Sequence, residues 1–144
     1  MELSRIARRA FSIQPQATAL EAAKMMVAEG IGAMVVLDGG GKLVGIISER
    51  DLVCRVVAKR HDPEKTMVSD VMTTAVRTIT NDFSIDRALE IMHQNKFRHL
   101  PLVDGRDKVI GMVSMRALLR DRVGELSQKN ADLVAFISTD GPGG

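Results

Sequence analysis

At 144 residues and a formal net charge of +2, the chain is long enough to bury one real core. Its interleaved acids and bases exclude the clustered basic surface of a dedicated nucleic-acid binder. With no Trp, no Tyr and only four Phe, the core must be aliphatic; with one cysteine, the chain can form neither an intrachain disulfide nor a Cys-rich zinc site.

Residues 1–10 form an N-terminal segment. Arg5, Arg8 and Arg9 stand where a signal peptide would need its apolar stretch, and they read as a solvated end. No apolar run approaches the ~20 residues needed to span a bilayer, so the expectation is a cytoplasmic protein without a membrane segment. Between 11 and 60 the pattern becomes regular. Thr18 is a candidate N-cap, and Ala19, Ala22, Ala23 and Met26 follow at the spacing of an amphipathic helix. An apolar run, Met34–Leu37, an Asp38-Gly39-Gly40-Gly41 turn and a second run, Leu43–Ile47, together predict a hairpin. After Ser48 a further helix carries Leu52, Val53, Val56 and Val57. Cys54 lies within it and reads as a small buried or half-buried hydrophobe rather than a nucleophile.

Residues 61–66, with His61, Asp62 and Pro63, make the natural linker. From 67 to 124 the same succession returns. Val68–Thr73 is a lead-in segment, for which the short stretch before Phe11 shows no full counterpart. Asp82 or Ser84 is the N-cap of a helix striped by Ile85, Ala88, Leu89 and Met92. Leu100–Val103, the Asp104-Gly105-Arg106-Asp107 turn and Val109–Val113 form the second hairpin. Leu118, Leu119 and Val123 mark the closing helix. In the last stretch, 125–144, Leu126, Leu133, Val134 and Ile137 predict a helix packed on its own module or across a dimer. Lys129 is its only basic residue, which disfavours a membrane-surface role, and Gly141-Pro142-Gly143-Gly144 is expected to be disordered.

The succession is a duplication. Gly45 and Gly111, Ser48 and Ser114, Arg50 and Arg116, and Ile13 and Ile79 all stand 66 positions apart without a gap. A unit of about 60 residues is marginal alone. The predicted fold is therefore α/β (α+β), two pseudo-symmetric β-α-β-β-α repeats packed through their sheets into one module.

Ser48-Glu49-Arg50-Asp51 supports two roles. Ser48 as N-cap and Asp51 at the third helical position make a capping box. A carboxylate held at a helix's first turn can equally accept hydrogen bonds from both hydroxyls of a ribose, with the helix N-terminus favouring a nearby phosphate. The residues alone leave both open. In the second copy Ala117 stands where Asp51 does in the first, so the carboxylate and the capping box are both missing.

Gly45-Ile46-Ile47-Ser48-Glu49-Arg50-Asp51-Leu52 resembles the closing motif of a cystathionine β-synthase (CBS) repeat. Val68–Thr73 resembles its lead-in and Phe97–Asp104 its central strand, and the likeness runs over about residues 11 to 124. The resemblance implies a tandem CBS pair, usually dimeric, that binds AMP, ATP or a related adenosyl ligand, or NAD(H), in two clefts between the repeats. It implies a main cleft of Ser48, Glu49, Arg50 and Asp51 with Thr78, Ile79, Asn81, Phe97, Arg98, His99, Leu100 and Pro101. There Asp51 would hold ribose, Ile79 and Leu100 would sandwich adenine, and Arg50, Arg98 and His99 would neutralise phosphate. It implies a second, degenerate cleft of Ser12, Ile13, Ile31, Gly32, Ala33, Ser114 and Arg116, without its ribose carboxylate.

The function expected is a non-catalytic adenine-nucleotide sensor that signals to an unidentified regulated protein. The alternative is a structural dimerisation scaffold with vestigial clefts. The sequence shows no nucleophile–base pair, no paired carboxylates in a shared motif, no metal-ligand spacing (His61 and His93 offer no matching ligands) and no Walker-type loop. Neither catalytic nor metal-binding residues are assigned.

Overall fold

The computed structural model describes residues 2–127. In chain order the elements are α1 (Glu2–Ile6), β1 (Ser12–Ile13), α2 (Ala19–Glu29), β2 (Ala33–Leu37), β3 (Leu43–Ser48) and α3 (Glu49–Leu52), which continues as a π-helical turn, Val53–Val57. Then come α4 (Val68–Val71), α5 (Ile85–Asn95), β4 (His99–Val103), β5 (Val109–Ser114) and α6 (Met115–Ser127). The chain is an α/β protein of two repeats. The tail beyond Ser127, with Leu133, Val134, Ile137 and the terminal glycines, lies outside the described residues.

The long helices start where the caps predict. Thr18 Oγ1 accepts from the Glu21 amide while the Glu21 carboxylate accepts from the Thr18 amide, a complete capping box for α2. Of the two candidates for α5 the cap is Ser84, whose hydroxyl accepts from the Arg87 amide at 3.0 Å. Each hairpin turn is organised by one aspartate. Asp38 Oδ1 accepts from the amides of Gly40 and Lys42, and Asp104 Oδ1 from those of Arg106 and Lys108.

Compact units and sequence repeats do not coincide. One unit runs from Ala10 to Arg77; the other joins the residues up to Arg9 to those from Thr78 onward. In the first, β1 lies parallel to β2, and β2 antiparallel to β3, over a core of Ile13, Ala19, Ala22, Met26, Met34, Val36, Ile47, Val56, Val68 and Val71. The lead-in segment returns to this sheet: Thr73 pairs with Ile46 through hydrogen bonds in both directions. Gly45 makes that approach possible, because a Cβ there would stand 3.1 Å from the Thr73 carbonyl oxygen and 2.5 Å from Met72 Sδ.

In the second unit β4 and β5 form the hairpin, Ile79 bridges to Leu102 in parallel, and Leu3 joins the core of Ile79, Ile85, Ala88, Met92, Leu100, Val113 and Leu118. Here the structure corrects the reading of the N-terminus. Residues 1–10 do contain a lead-in segment, α1 followed by an antiparallel pairing of Arg8 with Met112, the counterpart of Thr73 with Ile46. Leu3 and Ile6 play the parts of Val68 and Val71. They stand 65 positions away rather than 66, and that one-residue slip hides the segment from an ungapped comparison. Arg5 ion-pairs with Asp121 at 3.1 Å. Cys54 also differs from expectation: it is exposed, because the π-helical turn buries Val56 and leaves Val53, Cys54 and Val57 to solvent.

Candidate functional site

In the Ala10–Arg77 unit the capping box at Ser48 is complete. Ser48 Oγ accepts from the Asp51 amide at 3.2 Å, and Asp51 Oδ2 accepts from the Ser48 amide at 2.9 Å. Asp51 is the one buried charged residue among those described, 9% exposed. A buried carboxylate must be compensated, and two residues beyond the cap do so. Thr73 Oγ1 donates to Asp51 Oδ1 at 3.3 Å, and the Arg55 guanidinium, one helical turn on, lies 3.7 Å from the same oxygen. Arg55 is itself anchored: Nη1 donates to the carbonyls of Val71 and Met72, each at 3.0 Å.

Thr73 and Arg55 carried signals in the sequence. Thr73 closes the lead-in motif, and Arg55 stands at i+4 from Asp51, the spacing of a helical ion pair. Neither signal by itself marks a ligand site, because both residues act on the carboxylate. Glu49 and Arg50 are exposed at the start of α3, and the Glu49 amide donates to the Gly32 carbonyl at 2.9 Å. Ser12 and Ile13 form β1, Ile31 and Gly32 precede β2, and Ala33 pairs with Ser48. Within this unit the structure thus sets Gly32 and Ala33, expected in the second cleft, beside Ser48 and Glu49, expected in the main one.

The other unit repeats the arrangement with altered chemistry. Ser114 pairs with His99, and the Met115 amide donates to the Arg98 carbonyl at 2.8 Å, the counterpart of Glu49 with Gly32. Ser114 Oγ still accepts from the Ala117 amide at 3.1 Å, so half of the capping box survives where the sequence implied its complete loss. Only the carboxylate is gone. Arg116 is exposed.

Ile79 and Leu100 are buried, as is Pro101, whose carbonyl accepts from the Ile79 amide at 3.0 Å. Thr78, Asn81 and Phe97 are half-buried and Arg98 is exposed. His99 is half-buried. Desolvation first, and the neighbouring Arg98 second, hold its pKa below the usual histidine value. At neutral pH it is therefore a neutral imidazole, able to hydrogen-bond a phosphate but not to bring charge to it. Charge at the entry to this strand comes from Arg98, exposed just before it.

The model of the family described as "CBS domain" matches residues 3–58 and 68–124. The chain belongs to that family. The first match begins at Leu3, so it takes in the α1 lead-in.

Among similar proteins, an uncharacterised protein of Methanopyrus kandleri is 35% identical over 121 residues, 83% of this chain and 62% of that protein. A 17.7 kDa protein of Acidianus ambivalens is 39% identical over 112 residues, 78% of this chain and 66% of its own length. The chain thus spans about two thirds or less of these curated relatives. Among solved structures, a CBS-domain containing protein from Agrobacterium tumefaciens shares 32% identity with a TM-score of 0.77, covering 83% of this chain and 94% of that one. A Burkholderia ambifaria structure, named as a candidate signal-transduction protein with CBS domains, shares 32% identity with a TM-score of 0.78, over 82% and 85%. The CBS domain pair of the protein MJ0100, solved with 5′-methylthioadenosine and S-adenosyl-L-methionine, shares 26% identity with a TM-score of 0.77, over 85% and 96%.

Proposed function

We propose that this CBS pair is a non-catalytic regulatory module that binds an adenosyl ligand, with Asp51 holding the ribose. One observation carries the reading: a nearly buried carboxylate is fixed at the first turn of a helix by Ser48, Thr73 and Arg55. A carboxylate offers about four acceptor positions, so after these contacts it retains capacity for a ribose hydroxyl. The adenosyl ligands of the MJ0100 pair support the ligand class. The Phe97–Pro101 stretch is assigned to adenine, and Arg98 and Arg50 to phosphate, on the family resemblance; Ile79 and Leu100, 0% and 1% exposed in their unit's core, back that stretch rather than sandwich the ring as that resemblance implied. AMP, ATP and NAD(H) join the two ligands of that relative as candidates.

Calorimetry of AMP, ATP, NADH, S-adenosylmethionine and 5′-methylthioadenosine against wild type and Asp51→Ala tests the proposal. The expected result is saturable binding of at least one of them, lost in the variant while its fold persists. Binding that survives Asp51→Ala would remove Asp51 from the site.

A second reading, a dimerisation scaffold, is favoured by Ala117 and by the exposure of Val27, Val53 and Val57 at 84%, 59% and 70%. It predicts a stable dimer with no adenosyl binding at all. We propose the homodimer under either reading, in a cytoplasmic setting. No helix among the described residues is long and apolar enough to cross a membrane.

A further inference from the structure

Behind Arg55, on the side of the linker, the Ala10–Arg77 unit opens into a cavity of about 490 Å³ lined by Arg55, Lys59, His61, Lys65, Thr66 and Asp70, with Val71. This is the size of a small-molecule site. Its charge is one-sided: one arginine and two lysines face a single carboxylate, Asp70. Neither lysine has an ion-pair partner among the described residues. Arg55 is preorganised for a ligand, because Nη1 is committed to the Val71 and Met72 carbonyls while its Nη2 and Nε donors have no partner among those residues. A guanidinium held this way presents the planar fork that matches a phosphate oxygen pair. The π-helical turn ends at Val57, the chain bends sharply at Arg60 (φ 58°), and Lys59 and His61 on either side of that bend both line the cavity.

We propose that this cavity is an anion site for a multiply charged phosphate group, with Arg55, Lys59 and Lys65 as its ligands. It goes beyond the ribose assignment and does not depend on it. Asp51 draws on Arg55 only across 3.7 Å, so an anion on the free face of the guanidinium adds to that contact rather than replacing it.

Inorganic pyrophosphate is the probe, titrated calorimetrically into the whole chain at constant ionic strength held with chloride. Saturable binding is expected, weakened roughly tenfold or more in Lys59→Gln/Lys65→Gln, because each lysine supplies a charge-assisted contact. Both lysines are exposed, and an unchanged thermal midpoint would show that the fold is kept. Asp51→Ala should bind pyrophosphate as well as wild type or more tightly, since it leaves the free face of Arg55 untouched and removes a nearby negative charge. That arm separates this site from the adenosyl proposal. Competition with ATP distinguishes the source of the phosphate: displacement assigns the cavity to a nucleotide's phosphate chain, and independent binding to a separate anion. No saturable uptake above chloride, or uptake indifferent to the double substitution, would overturn the proposal.

Discussion

Thr73 Oγ1 donates to Asp51 Oδ1 across 22 residues of sequence, tying the lead-in segment of the second repeat to the helix that closes the first. The segment's backbone is already docked, by the paired hydrogen bonds of Thr73 with Ile46 and the contact of Met72 with Gly45. The hydroxyl therefore adds one side-chain bond to a geometry that exists without it. Thr73→Val, close in shape, should cost about 1 kcal/mol in urea unfolding, the ordinary worth of one such bond. If Asp51 is the ribose ligand, adenosyl affinity should fall only a few-fold, because Ser48 and Arg55 still orient the carboxylate. An affinity loss as large as that of Asp51→Ala would place the hydroxyl itself on the ligand.

The half-formed capping box of α6 is open to repair. Ser114 already accepts from the Ala117 amide, and position 117 is where the first copy carries the reciprocating carboxylate. Ala117→Asp should therefore stabilise the chain by roughly 0.5–1 kcal/mol, the scale of cap contributions, despite the lower helix propensity of Asp. Urea unfolding of the single variant decides it. An unchanged or lower midpoint would mean that the Ser114 amide is already satisfied.

Helices α2 and α5 end in the same left-handed turn, but Gly30 occupies it in one (φ 64°) and Lys96 in the other (φ 58°). A residue with a Cβ is strained there by roughly 1 kcal/mol, a strain glycine escapes. Lys96→Gly should raise stability by about 0.5–1 kcal/mol, since position 96 lies past the helix end and gives up no helix propensity. Gly30→Ala should lower it by a similar amount, although a Cβ at 30 would meet nothing within 4 Å, so the effect is purely one of backbone conformation. Equal and opposite shifts in thermal midpoint are the expected signature.

Much of this was legible from the residues because it is local. Thr18 with Glu21, Ser48 with Asp51, and the Asp38 and Asp104 turns are each satisfied within a few positions, so the chain writes them directly. The opening segments were not legible in the same way. What α1 shares with α4 is two apolar residues three apart, Leu3 and Ile6 against Val68 and Val71, displaced by one position from the repeat's register. The pairings that dock the two segments, Arg8 with Met112 and Thr73 with Ile46, are chosen by the sheet rather than by neighbours in sequence. Cys54, expected to be buried or half-buried, is exposed for a related reason. The apolar run around it suggested one continuous stripe, but the π-helical turn changes the angular spacing of Val53–Val57 and leaves only Val56 buried. The roles of Arg55 and Thr73 are not legible in the residues alone, because they compensate a charge whose burial the sequence does not state.

His99 gives the fold a pH dependence of its own. Desolvation holds its folded pKa below the unfolded value of about 6.5, so the native imidazole is neutral while the unfolded one takes up a proton first. The sign follows. Above pH 6.5 the contribution to stability is intact, and it is lost progressively as pH falls from 6.5 toward the lower folded value, because protons then bind the unfolded chain preferentially. Asp82 and Asp104, whose pKa values are lowered by hydrogen bonds, lose their stabilising effect only in the carboxylate range below about 4. A comparison between pH 7.5 and 5.5 therefore isolates the histidine. Wild type should lose more stability over that interval than His99→Gln, measured by urea unfolding at both pH values. Parallel losses in the two proteins would show that His99 takes up its proton as readily in the folded chain as in the unfolded one.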